Sequence, residues 1–563
     1  MADTDVKSTS SKHDQDVGEK NYNDNVPAYE GEHVISPDDV NETGEEEELH
    51  RALTPAQISM IAIGGSIGTG LIIGTGSALS QGGPAGLLIG YTVMGAVCWV
   101  VLTALGEMSA YMPSKNGFQG HAARFCDEAL GTAVGYNYLF KYLVITPNQI
   151  NASALLISFW RPDLSGGIFI SVFIVCIVAS NLCGVKFFGH VEFWMSFAKI
   201  VVLTAIILGG FIISLGGNPT GDRIGFRYWN EPGAFVEYKA DGAKGRFLGT
   251  WSVMSLALFA YIGSELVGVC VGESKNPRKS IPKAISKVVW RILWFYICGV
   301  IVIGMLVASN DPRLKAKGAA KSTASASPFV VAIISAKIKT LPSVINGALL
   351  IFTLSASNSD LYIASRTLYG LAVDGKAPRI FLRCNRMGVP YVALGFSSLF
   401  TALAFLNLSS GGGQTFTYLT STVSIFGGIA WAGILFAHIR FMAGCRAQGV
   451  SRESLPYKAP LQPYASYIAL AITMIVLIFK GFTAFLPTFD YKSFITNYIG
   501  FPVFFVIWLG WKVAYRTKFY SASEMDVING ARRFDGLDDG KDESEEMRVA
   551  PWWKKPLVYA KNF

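Results

Sequence analysis

About twelve stretches of roughly 20 mostly apolar residues run through this chain, the length a helix needs to cross a bilayer core about 30 Å thick. They fall near residues 54–80, 83–110, 131–160, 166–185, 191–216, 248–272, 284–308, 341–374, 389–408, 415–440, 464–485 and 496–515. Over 563 residues the chain is 51% hydrophobic and only 16% charged, with mean hydropathy +0.37. That composition excludes a water-soluble enzyme of this length. The expected fold is an all-α integral membrane protein of twelve transmembrane helices.

Polar tails flank this region. Residues 1–53 are acidic, end in Gly44-Glu45-Glu46-Glu47-Glu48, and lack the apolar stretch of a cleavable signal peptide. They read as a disordered tail, and 516–563 as a second charged tail around the 54–515 membrane region. The net charge of +8 is no nucleic-acid signal, because Lys and Arg are spread over loops rather than gathered in one stripe. Lys275, Arg278, Lys279, Lys283 and Lys287 follow the sixth stretch, and Lys376, Arg379, Arg383 and Arg386 follow the eighth. The positive-inside rule places both loops, and with them both termini, in the cytoplasm. The loops 217–247 and 309–340 are also basic, but longer.

The eight cysteines lie mostly in apolar stretches without disulfide or metal spacing, so no metal or cofactor is expected. Asn41-Glu42-Thr43 and Asn407-Leu408-Ser409 fit the glycosylation pattern. One would be cytoplasmic and the other sits at a membrane end, so neither is expected to be used. Lys7, Lys12 and Lys20 stand near Ser8, Thr9 and Ser10 in the first tail. Attachment of ubiquitin there by a ligase and its adaptor is one expectation, and a solvated tail with no assigned role is the other. Turnover of a variant with arginine at all three positions separates them.

Two of the apolar stretches are interrupted at their centres, in matching positions of two halves. The first carries Gly64-Gly65-Ser66-Ile67-Gly68-Thr69-Gly70-Leu71, and the second Phe259-Ala260-Tyr261-Ile262-Gly263-Ser264-Glu265. A spanning helix gives up its backbone hydrogen bonds at membrane depth only where protein or a watery cavity satisfies them. Paired breaks of this kind point to the substrate site of an inverted-repeat transporter. In the first, the following half-helix would aim free N–H groups at an anion such as a carboxylate, with Ser66 and Thr69 adding hydroxyls. Close helix packing by small residues is the alternative. Four glycines within residues 64–70 exceed what packing needs. In the second, carbonyls would suit a cation such as an ammonium, and Phe259 and Tyr261 would either gate the site or simply pack.

Ionisable residues in the apolar stretches mark functional positions by default. Glu265 is a candidate proton carrier. Lys199 would either snorkel to an interface or reach the first break in place of a sodium ion. Lys141 needs an anionic partner, either Glu107 or an acidic substrate. Pro147-Asn148-Gln149 offers neutral amides about two turns later. Asn358, Ser359, Asp360, Ser365 and Arg366 are either interhelical glue or partly substrate-facing, with Arg366 nearer the cytoplasmic end.

These residues resemble the fungal amino-acid permeases of the amino acid–polyamine–organocation superfamily. The likeness covers roughly Thr54 to Arg516 and rests on Gly65–Leu71, Ile262–Glu265, Glu273–Ile285, Ser365–Tyr369 and Asp374–Pro378. Tyr138–Tyr142, Pro147–Gln149, Arg223–Trp229 and Asn358–Tyr362 look most like the dicarboxylic members. The resemblance implies a plasma-membrane proton symporter for L-glutamate and L-aspartate, with a five-plus-five inverted repeat and two added helices. It implies that Gly65, Ser66, Ile67, Gly68, Thr69 and Gly70 bind the α-carboxylate. Carbonyls around Phe259, Ala260, Tyr261, Ile262 and Gly263 would bind the α-ammonium. Glu265 and Lys199 would carry coupling roles, with Glu107 as a further titratable group. General and basic permeases tend to carry Glu where this chain has Gln149, and they lack Lys141. A neutral amide and an added cation both favour an acidic side chain.

Two other readings compete: a broad-range neutral amino-acid permease with Lys141 paired to Glu107, and a sensor of the same fold that no longer transports. Sensors tend to have a much longer first tail. An intramembrane enzyme is least expected, given six His and no catalytic spacing.

Overall fold

The computed structural model describes residues 67–114, 117–266, 287–315, 327–338, 340–410 and 412–528, with the single positions 60 and 285. Gly64, Gly65, Ser66, the three tail lysines and most of the basic loop after the second break lie outside the described residues.

The described chain is helical. Helix α1 (Gly70–Tyr111) begins with a wide π-helical turn, Gly70–Gly74, at the first break. It bends at Gly83, whose φ is +74°. A Cβ there would lie 2.6 Å from the Ala234 carbonyl oxygen, so only glycine admits the loop that crosses at this point. Pro84 follows, and the Ala85 N–H donates to Ala234 O instead of continuing the helix ladder. The bend thus falls between the first two apolar stretches.

Next come α2 (Gly117–Phe125), α3 (Glu128–Ile157), α4 (Gly166–Leu182), α5 (Val185–Ser214) and α6 (Gly242–Tyr261). Then follow α7 (Lys287–Leu306), α8 (Pro328–Ser335), α9 (Leu341–Val373), α10 (Tyr391–Leu406), α11 (Gly413–Ala447) and α12 (Tyr464–Phe485). The last are α13 (Tyr491–Tyr498) and α14 (Gly500–Tyr515). Among the described residues six helices are long and apolar enough to cross a membrane, α1, α5, α7, α9, α11 and α12. A seventh joins them if α13 and α14, bent by 44°, form one span. Helices α4 and α10 are apolar but shorter. Helices α3 and α6 have the length, but polar residues dilute their apolar runs.

The bundle has an apolar core that encloses a set of buried polar and charged residues, and its outer surface is apolar as well. On α5, Trp194, Val201, Leu208 and Ile212 face outward while Glu192, Ser196 and Lys199 are buried. Val506 and Val513 on α14 are similarly exposed. Such stripes suit a hydrocarbon surround, because lipid tails solvate them without cost. Helix α3 runs through the centre, packed along α9, α11 and α14, and α1 packs along α6. Side chains tie α3 to α9: Ser153 donates to Thr353 at 2.7 Å and Asn346 to Leu156 O at 2.8 Å. Asn181 of α4 donates to Asn358 Oδ1 at 3.0 Å. Of the α9 residues expected to act as glue, Asn358 does so in the last of these bonds.

The second tail begins with a stretch packed on the bundle. Residues 516–528 lie against the bundle, with Met525 and Val527 buried. The Tyr520 N–H donates to Cys126 O, Arg440 to Tyr520 O, and Tyr111 Oη to Val527 O at 3.0 Å.

Candidate substrate and ion site

The two breaks meet. A Cβ on Gly70 would lie 2.4 Å from Ala260 Cα, so the backbones of α1 and α6 are in direct contact there. Helix α6 ends at Tyr261; Ile262 is extended (φ −60°, ψ 137°) and Gly263 has φ +104°. Three tyrosines fix this junction. Tyr91 Oη donates to Gly70 O at 3.4 Å, Tyr261 Oη to Tyr91 O at 2.9 Å, and Tyr296 Oη to Ala260 O at 3.1 Å. The Tyr261 and Tyr296 rings stack with centroids 4.3 Å apart.

Further bonds distinguish the carbonyls at this break that already accept a hydrogen bond from those that have lost their helical donor. Tyr296 takes Ala260 O, and the Ser264 N–H donates to Tyr261 O. The Gly263 N–H turns to Glu265 rather than to Phe259 O, and the Leu266 N–H goes to Gly263 O rather than to Ile262 O. Phe259 O and Ile262 O therefore lose their helical donors. The Phe259 ring packs edge-on against Phe416, with centroids 6.3 Å apart. Tyr261 is fully buried in the tyrosine set.

On the side of the first break, Gly68 has Gln149 of α3 above it, its Nε2 3.3 Å from where a Cβ would stand. Thr69 is fully buried, and its Oγ1 has no hydrogen-bond partner among the described residues. Ile67 is buried in the core. Asn148 points elsewhere and donates to Thr420 Oγ1 at 3.2 Å.

Lys141 is fully buried and donates to Glu265 Oε1 at 2.5 Å. It also donates to Tyr142 Oη at 3.1 Å and lies 4.2 Å from the centroid of that ring. The second carboxylate oxygen of Glu265 accepts from Trp431 Nε1 at 3.1 Å and from the Gly263 N–H at 2.9 Å. The cation on α3 is thus joined to the second break through Glu265, a partner that neither expectation for Lys141 included.

Glu107 does not pair with Lys141. It accepts from Arg452 Nε at 2.8 Å and Nη2 at 3.0 Å, contacts His438 Nε2 at 3.1 Å, and accepts from the Ala459 N–H at 3.0 Å. This arrangement ties α1 and α11 to the segment before α12. Removing one member of a buried ion pair costs about 3–5 kcal/mol. Glu107→Ala is therefore expected to destabilise the folded protein while leaving the order of substrate preference unchanged. Thermal unfolding in detergent and competition by unlabelled amino acids are the checks. A changed preference would place Glu107 at the site.

Lys199 does not snorkel. It is fully buried, 3.9 Å from Glu192, whose Oε1 accepts from Ser355 of α9 at 2.7 Å and from Ser196 at 3.3 Å. Glu192 escaped the sequence reading, although it stands seven residues before Lys199, close to two helical turns and so on the same face. Asp360 completes the group: it is buried, Gln149 donates to it, and both Lys141 and Lys199 act on it electrostatically. No cluster of His, Cys, Asp and Glu suited to a metal ion occurs among the described residues.

Broken helices that meet beside buried charged groups, inside a bundle with an apolar exterior, define a multi-pass membrane transporter. The chain belongs to the amino acid permease family, whose profile matches residues 57–523. It is 47% identical over 509 residues to the dicarboxylic amino acid permease of Saccharomyces cerevisiae, covering 89% of this chain and 84% of that one. It is 40% identical over 510 residues to a proline-specific permease of Emericella nidulans, covering 89% and 92%. The fold is similar to that of the Eremococcus coleocola manganese transporter, with TM-score 0.51 and 11% identity over 85% of this chain and 95% of that one. Family membership sets enzyme chemistry aside.

Proposed function

We propose that this permease carries acidic amino acids, L-glutamate and L-aspartate, together with protons into the cell across the plasma membrane. Both termini are cytoplasmic in this reading, and the twelve helices form a five-plus-five inverted repeat plus two. The observation that carries it is Lys141, a buried cation joined to the second break through Glu265. The 47% identical dicarboxylic permease supports the same substrate class. The α-carboxylate binds where Thr69 and the start of α1 turn toward Gln149, and the α-ammonium at Phe259 O and Ile262 O. Substrate binds between the breaks, and one group of helices rocks against the other. The inward potential drives net positive charge, so a monoanionic glutamate needs about two or more protons for that potential to help.

A second reading has its own observation. Glu265 already neutralises Lys141, which leaves room for a neutral side chain, and a proline-specific permease is 40% identical. Uptake of labelled L-glutamate in transporter-deficient cells, with neutral amino acids as competitors, separates the two. Proton-dependent glutamate uptake that neutral competitors barely reduce is expected. Strong inhibition by neutral amino acids, with weak glutamate uptake, would replace this reading by the second.

A further inference from the structure

Lys141, Lys199, Glu192, Glu265 and Asp360 are all buried in the interior of one bundle. Two cations face three carboxylates. Glu265 is matched by Lys141 at 2.5 Å and Glu192 by Lys199 at 3.9 Å, each beside further donors. Asp360 is the carboxylate left over. Its Oδ2 has no hydrogen-bond partner among the described residues, and the same is true of Gln149 Oε1 and Glu192 Oε2. An ionised carboxylate oxygen with no donor at this depth is expensive.

We propose that Asp360 takes up a coupling proton, and that only its protonated form admits an acidic side chain beside Lys141. The proposal rests on the reading of proton-coupled acidic amino-acid uptake. The proton comes from the external solution, resides on Asp360 Oδ2, and leaves on the inner side. Protonation removes the surplus negative charge. It also turns Oδ2 from an acceptor without a donor into a donor toward an incoming carboxylate. An ionised Asp360 would repel that carboxylate instead.

The placement links this residue to the substrate. Gln149 lies over Gly68 of the first break and donates to Asp360. The charged or titratable groups facing Asp360 are Lys141 and Tyr142 from α3 and Glu192 and Lys199 from α5, with Glu265 behind Lys141. On its own helix, Arg366 stacks on Tyr362 at 4.4 Å.

The test is Asp360→Asn, which keeps the shape of the protonated acid but cannot release a proton. The parent is measured first: if its glutamate uptake does not depend on external pH, the reading beneath the proposal fails. In the variant, exchange of labelled for unlabelled glutamate across the membrane is expected to persist, because the amide still donates to the incoming carboxylate, and to lose its dependence on external pH. Net accumulation is expected to fall about tenfold or more, the size of a typical coupling between two ligands. Its dependence on external pH should flatten. A variant that accumulates glutamate with the parental pH profile overturns the proposal, as does one that reaches the surface but neither exchanges nor accumulates. Asp360→Glu gives a second reading if the amide fails to fold. It keeps a titratable group in altered surroundings, so its pH profile should move, and an unmoved profile overturns the proposal.

Discussion

Glu265→Gln alone is expected to lose most of its folded protein, whereas Lys141→Met together with Glu265→Gln is expected to fold. Both side chains are fully buried, and the single change strands the lysine without its carboxylate. Breaking such a pair costs about 3–5 kcal/mol, roughly a hundredfold or more in the folded-to-unfolded ratio, whereas exchanging both members for uncharged groups is often neutral. Thermal unfolding of the detergent-solubilised proteins, read beside surface abundance, checks this. The double variant should reach the surface yet take up almost no glutamate, because the cation that recognises the acidic side chain is gone. Equal stability of the single variant and the parent would show that the pair does not hold α3 to the second break. Glutamate uptake by the double variant would remove Lys141 from specificity.

The second large effect is expected at Gly70. A Cβ there would stand 2.4 Å from Ala260 Cα and 2.9 Å from Ala260 N, both main-chain atoms that cannot swing aside. Gly70→Ala must separate the two breaks. Overpacking of this kind costs about 1–3 kcal/mol, and a displacement near 1 Å at a binding constellation costs on the order of a hundredfold in turnover. Uptake by Gly70→Ala should therefore be nearly abolished in protein that still reaches the surface. Gly74→Ala is the matched control, since its Cβ would meet nothing within 4 Å. Its uptake should stay close to parental. Loss in both variants would trace the effect to helix geometry rather than to the contact with Ala260.

Much of this arrangement is legible in the residues because bilayer chemistry is severe. Apolar stretches must become helices, glycines at membrane depth must serve a purpose, and a lysine or glutamate there must be matched. Those rules locate Gly68, Gly70, Gly263, Lys141 and Glu265. They do not say who meets whom. Lys141 and Glu265 are separated by 124 positions, and their pairing depends on how α3 lies against the second break. The same holds for Glu107, whose partner Arg452 stands 345 positions away. Glu192 was overlooked because it sits at the very edge of an apolar stretch, where a charge looks like a boundary. The three tyrosines look like ordinary aromatic packing until their hydroxyls are seen to close particular carbonyls. Asp360 was read as one of several polar residues on α9, and it stands out as the buried carboxylate beyond the two that Lys141 and Lys199 match.

The docked stretch from Thr517 to Ile528 changes where this polypeptide can be cut or joined. In the sequence, residues 516–563 stand out only as a charged tail. Yet Met525 Sδ lies 2.2 Å from where a Cβ on Gly444 would be, and Gln448 donates to Ala522 O at 3.2 Å. A truncation at Arg516 would expose the end of α11 and unseat Tyr111 and Cys126 from their partners. A fluorescent protein or affinity tag belongs after Ile528, where it leaves that clasp whole.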